Sequence, residues 1–111
     1  MKVKTTELID DALDWAVAEV LDLSDAWMDD HRVGYRNSPS TDWSLGGPII
    51  EREKISIWPD DACFEWLAEY RFRLQCDDDY FGGPTPLIAA MRCFVASELG
   101  DEVDVPEELL T

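Results

Sequence analysis

Apolar positions recur along this chain with more than one period, and each period predicts an element. Ile9, Ala12, Leu13, Ala16, Val17 and Val20 share one face at helical spacing, while Glu7, Asp11, Asp14 and Asp22 fall on the opposite face. Thr5 and Thr6 are N-cap residue types, and Glu7 and Asp10 complement a helix dipole. The pattern therefore predicts a helix over 6–22. Leu23 and Trp27 stay on the apolar face, which would carry the helix to Asp29; alternatively, Ser24 caps a separate short helix.

From Phe64 to Leu74 the period changes to two. Phe64, Trp66, Ala68, Tyr70, Phe72 and Leu74 alternate with Glu65, Leu67, Glu69, Arg71 and Arg73, as in a strand with one covered and one wet face. Ile49–Trp58 also reads as a strand, ending at Pro59. Its charged quartet Glu51-Arg52-Glu53-Lys54 alternates poorly, and Ile55-Ser56-Ile57 alternates better. Residues 36–48 and 76–84 carry turn chemistry, and each ends in Gly-Gly-Pro. Thr85 as N-cap, Pro86 at the first helical position and Gly100 as the stop bracket a helix over 85–99. With only Arg92, Ser97 and Glu98 polar, that helix belongs inside. Pro106 could open one last helical turn in the acidic tail, 101–111. The fold class expected is one α+β domain over 1–111. A small antiparallel sheet, with 49–58 and 64–74 as its principal strands, packs against a buried C-terminal helix and an amphipathic N-terminal helix.

Charge narrows the partners. The 25 acids against 9 bases give a formal net charge of −16, which works against nucleic acid or an anionic membrane as a direct partner. No apolar run approaches a membrane span of about 20 residues, and no secretory signal is apparent. Cys63, Cys76 and Cys93 read as reduced thiols of a cytoplasmic protein.

Candidate chemistry is sparse. An EF-hand loop begun at Asp77 would need an oxygen ligand where Phe81 stands and a glutamate where Ile88 stands. The cysteines are too far apart for a zinc site, and His31, between Asp30 and Arg32 in sequence that reads as exposed, is the only histidine. No metal or cofactor is expected, and no nucleophile motif surrounds a serine or cysteine. The Gly46-Gly47-Pro48 corner lacks a phosphate-loop pattern, and Pro48 removes an N–H that such a cradle would use. It reads as a turn delivering the Ile49 strand. The ligand alternative makes it a rim, with Asp42 accepting, Trp43 stacking and Arg52 neutralising, and Gly46 and Gly47 giving close backbone approach. A row of Glu7, Asp11, Asp14, Asp22 and Asp25 along one helix admits DNA mimicry. Five charges over about 27 Å are, however, sparse beside duplex phosphates about 3.4 Å apart on each strand.

The stretches TTELIDDALDWAVAEV, SPSTDWSLGGPIIERE and GGPTPLIAAMRCFVASELGDEVDVPEEL resemble the NinX-like family of tailed-phage proteins. Residues 21–36 and 59–81 look individual to this chain. The resemblance implies a phage or prophage product acting in the cytoplasm of an infected bacterium, and it supplies no reaction and no catalytic residues. The resulting expectation is a non-enzymatic accessory protein that modulates a host or defence factor. Its partner is a host or phage protein with a basic surface, met through Asp11, Asp14, Asp22, Asp77, Asp78 and Asp79. The alternatives are a DNA mimic that blocks a nucleic-acid-binding protein, and a small-ligand binder or enzyme using the Asp42–Trp43–Gly46–Gly47 loop.

Overall fold

A computed structural model of the chain describes residues 1–35, 37–61, 65–70 and 80–110. Among these residues the fold is α+β, with four α-helices and two small antiparallel sheets. Helix α1 spans Asp10–Val20, α2 Ser24–Arg32, α3 Trp43–Glu53 and α4 Pro86–Leu99. Strands β1 (Lys2–Lys4) and β5 (Glu102–Asp104) form one sheet; β2 (Ile55–Asp60), β3 (Glu65–Tyr70) and β4 (Phe81–Gly83) form the other, in that order.

Helix α4 starts and stops where its sequence dictates. The Thr85 hydroxyl accepts from the Ile88 amide at 3.2 Å, Pro86 occupies the first turn, and Gly100 ends the helix at a φ of 85°. Leu87–Met91, Cys93, Phe94 and Val95 are buried. The helix contacts all three strands of the larger sheet as well as α1, α3 and β5. Its one cation, Arg92, donates to the Leu8 carbonyl at 2.7 Å and to the Gly82 carbonyl at 2.9 Å, so it satisfies backbone on both sides of the helix.

The period-two reading holds over β3. Ile57, Ala68 and Phe81 share one cross-strand row, with Trp66 opposite Gly83 and Tyr70 opposite Ile55. These residues turn toward α4, and Ala68 is fully buried. Phe64, Phe72 and Leu74 lie outside the described residues. In the smaller sheet Val3 and Val103 pair toward the core, while Lys2 faces Asp104 and Lys4 faces Glu102. Such opposite-charge pairs contribute about 0.2–1 kcal/mol each. The acidic tail is thus folded back onto the start of the chain, and Pro106 precedes a 3₁₀ turn at Glu107–Leu109, as anticipated.

Three expectations need correction. The first helix is shorter than 6–22. Thr5 does not cap it; Thr5 is buried, donating its hydroxyl to the Gly100 carbonyl at 2.6 Å and its amide to Asp101 at 2.8 Å. Ile9, placed on the apolar face by period, is the exposed N-cap of α1. Helix α2 is separate from α1, as the alternative reading had it, although Leu23 and not Ser24 is its N-cap, and Asp22 takes a positive φ of 62° at the break.

The second correction concerns 43–53, which is helical where a turn and a strand were expected. Asp42 caps this helix, accepting from the Ser44 amide at 2.9 Å. Gly46 and Ile49, three residues apart, face inward, and the charged quartet that spoiled the strand pattern falls at the end of α3, with Glu51 and Arg52 exposed and Glu53 half-buried against Tyr70. Lys54 closes it in the left-handed region. Gly47 suits its place because a residue before proline resists the helical conformation through its Cβ.

The third correction is that Gly82 and Gly83 lie in β4, not in a turn. Both Gly-Gly-Pro segments have a packing use. A Cβ on Gly46 would stand 2.4 Å from the Pro39 carbonyl oxygen and 2.6 Å from Leu87 Cδ2. A Cβ on Gly83 would stand 2.8 Å from the Ala89 nitrogen.

Neighbouring substitutions in α3 should therefore act with opposite signs. Gly46→Ala should destabilise by roughly 1–3 kcal/mol through overpacking. Pro48 is exposed and lacks the N–H that would bond to Ser44, so Pro48→Ala should stabilise by about 1–3 kcal/mol. Urea midpoints of the two variants at neutral pH check this, and shifts of the same sign would contradict it.

Candidate functional site

Two short helices joined by a three-residue break cannot pack along their whole lengths, and a cleft of about 120 Å³ opens between them. Val17, Ala18 and Leu21 line it from α1, and Ala26 and Trp27 from α2, with Leu23 from the break. Asn37 and Pro39 close one side. The polar groups in this apolar wall are Asp14, Asp30 and Asn37.

The walls are fixed by a few directed contacts. The Trp27 indole donates to the Asn37 carbonyl at 2.8 Å and stacks on His31, with ring centroids 4.9 Å apart and planes 11° off parallel. This is the i,i+4 neighbour relation of a helix. His31 Nε2 stands 4.0 Å from Asp11 Oδ2 on α1, so the histidine that reads as exposed is largely enclosed. The Ser40 amide donates to Asp14 Oδ1 at 2.9 Å, which pins residues 37–40 across α1. Asp14 is only 2% exposed. Burial pushes its carboxyl above the ordinary value, and hydrogen bonding to Ser40 opposes the shift only in part.

The expected site residues are dispersed. Asp42 is the exposed N-cap of α3; hydrogen bonds from the Ser44 hydroxyl and amide hold its carboxyl below the ordinary range. Trp43 is 55% exposed on the first turn. Gly46 is sealed against Pro39 and Leu87, so its backbone is closed to a ligand. Arg52 lies nine residues beyond Trp43, which in a helix means about 13 Å along the axis and the opposite side. Its Nε donates to Glu53 at 3.1 Å. These residues do not form one rim. Of the acidic set, Asp22 is exposed, Asp11 turns toward His31 and Asp14 is buried rather than on the surface. Asp77, Asp78 and Asp79 lie outside the described residues, as do Cys63 and Cys76. Cys93 is buried in α4. The sequence reading missed Trp27, Asn37 and Ser40 as site residues. Only the Trp27–His31 spacing was a signal that could have found one of them.

Among the described residues no group of three or more histidine, cysteine or acidic side chains is placed to hold a metal ion, and no helix is long and apolar enough to cross a membrane. The fold and cleft define a small acidic α+β protein whose helical half carries a side-chain-sized recess. The chain belongs to the family described as Bacteriophage P22, NinX, whose model matches residues 4–98. The match begins at β1 and runs nearly to the end of α4. No curated protein matches the chain.

The sign of the Asp14 contribution to stability is testable. Its folded-state value is raised, so the stability linked to its proton is fully present below the unfolded value of about 3.9 and is lost as pH rises through the folded value. Asp14→Asn keeps an oxygen acceptor for Ser40 and removes the charge. Thermal melts should show the variant above the parent at pH 7 and the two converging as pH falls toward 4. A variant less stable than the parent at every pH would contradict this.

Proposed function

We propose that this chain is a non-enzymatic phage accessory protein that binds and modulates a host or defence protein in the cytoplasm of the infected bacterium. The observation that carries the reading is the make-up of the surface around α2. Asp25, Asp29 and Asp30 are exposed along the helix and Asp22 just before it. At its two ends, large apolar side chains stand in water: Leu23 at 56%, Val33 at 73% and Tyr35 at 73% exposure. Arg32, also exposed at the end of α2, stands 3.8 Å from Asp29 and 3.0 Å from Glu108, so the helix keeps an excess of acids. Such an excess steers a basic partner and sets specificity, and apolar anchors among the charges supply affinity once water is displaced. The stretch also falls where the sequence looks individual to this chain.

The alternatives draw less support. A DNA mimic needs evenly spaced surface charge, and the α1 row loses Asp14 to burial and turns Asp11 toward His31. A ligand site at Asp42–Trp43–Gly46–Gly47 would need a backbone approach that Pro39 and Leu87 already occupy at Gly46.

The test is capture of partners from infected cells by the purified chain at low and physiological salt, in parallel with an Asp25→Lys/Asp29→Lys variant. A specific partner should be retained by the parent, weakened as salt rises, and reduced about tenfold or more by the reversal. Equal capture by parent and variant would overturn the reading. Displacement of the partner by duplex DNA would favour the mimic.

A further inference from the structure

We infer that the cleft between α1 and α2 receives one basic side chain, lysine or arginine, of the bound protein; the inference rests on the protein-binding reading above. Size is the first argument. Ligand sites for drug-sized molecules run to about 300–1,000 Å³, whereas an engineered cavity of about 150 Å³ takes a single benzene. At about 120 Å³, the cleft suits the end of one side chain.

Chemistry is the second argument. Val17, Leu21, Ala26 and Trp27 present apolar surface to the methylene stem that lysine and arginine bury readily. Among the described residues, the lining holds two carboxylates, Asp14 and Asp30, and no cationic side chain. A carboxylate taken out of water is costly unless it is paired. The Ser40 amide donates to one oxygen of Asp14 and the Ser38 side chain also hydrogen-bonds to the carboxyl; both are neutral donors, so the charge itself is not balanced by these contacts. An incoming ammonium or guanidinium would balance it. A neutral apolar side chain would fill the same volume and leave the buried Asp14 without a counter-charge.

Position is the third argument. The cleft opens beside the exposed acids of α2, where the field concentrates cations, and Leu23 belongs to both its lining and the exposed apolar set. A partner docking on α2 would place a side chain over this opening.

The test is an amide and indole NMR titration of the full chain with N-acetyl-arginine amide, N-acetyl-lysine amide and the neutral isostere N-acetyl-citrulline amide. Saturable shifts at Ala18, Leu21 and the Trp27 indole are expected for the cationic probes, with Kd near ~1–10 mM. The citrulline probe should bind at least about fivefold more weakly, since charge-assisted hydrogen bonds are roughly twice as strong as neutral ones. Asp14→Asn should remove that preference. Ala26→Trp, which fills the opening from an exposed position, should abolish the shifts and weaken partner capture. No saturation, or equal response to the citrulline probe, would overturn the inference. Cationic probes that bind while Ala26→Trp leaves capture unchanged would reassign the cleft to a free amine and overturn it too, with the surface reading intact. If the parent captures nothing at either salt, the surface reading fails and this inference fails with it.

Discussion

An α-helix with almost no polar side must be enclosed, and in a chain this short the enclosure of α4 dictates where everything else goes. The larger sheet covers one side through Ile57, Trp66, Ala68 and Phe81, while α1 and α3 cover others and β5 the far end. Each fully buried Leu, Ile, Met or Phe contributes about 1.5–3 kcal/mol relative to exposure. Enclosure also strands polar backbone. Arg92 meets that cost by satisfying Leu8 and Gly82, and Thr5 does the same for the carbonyl of Gly100 just past the helix. The start and end of the described fold are therefore sewn together around α4.

The enclosure reaches outward one more layer. Because α1 lies against α4, its remaining sides must also be covered, and α2 with residues 37–40 supplies the cover. Seven consecutive residues of α1, Ala12–Ala18, are buried as a result, Asp14 among them. A wheel that sorts α1 into apolar and acidic faces assumes one neighbour; this helix has neighbours on several sides. The exposed acids of this part of the fold are instead those of α2, where Asp25 and Asp29 stand in solvent.

What was legible in the sequence follows the range of the physics involved. Thr85-Pro86 and Gly100 bracket α4 through local capping, and period two marks β3, so both could be read from neighbouring residues. The pairing of β2 with β3 was legible for the same reason, although β2 begins six residues later than expected. Helix α3 was misread because glycine and proline were weighed as breakers. The Asp42 cap and the inward spacing of Gly46 and Ile49 were present but local, and they outweigh one missing hydrogen bond. The burial of Asp14 and the cleft were not legible, since they depend on Ser40, 26 residues away, and on the angle at Leu21–Leu23. The folding back of Glu102–Asp104 onto Lys2–Lys4 is longer in range still.

The two Gly-Gly-Pro segments show how one constraint can hide behind different secondary structure. One lies in a helix and the other runs out of an edge strand, so neither shares the turn role that their composition implies. Yet Gly46 abuts Leu87, and Gly83 abuts Ile88 and Ala89, all in the first turns of α4. Both glycines omit a Cβ where two separate elements must approach the same buried helix, and for each the crowding includes backbone that cannot rotate away. The first turns of α4 are accordingly tightly packed at both glycines. One recess lies at the α1–α2 junction, one layer out, where no glycine brings the helices closer. A small acidic protein built this way keeps this recess at the margin of its core, beside the exposed acids of α2.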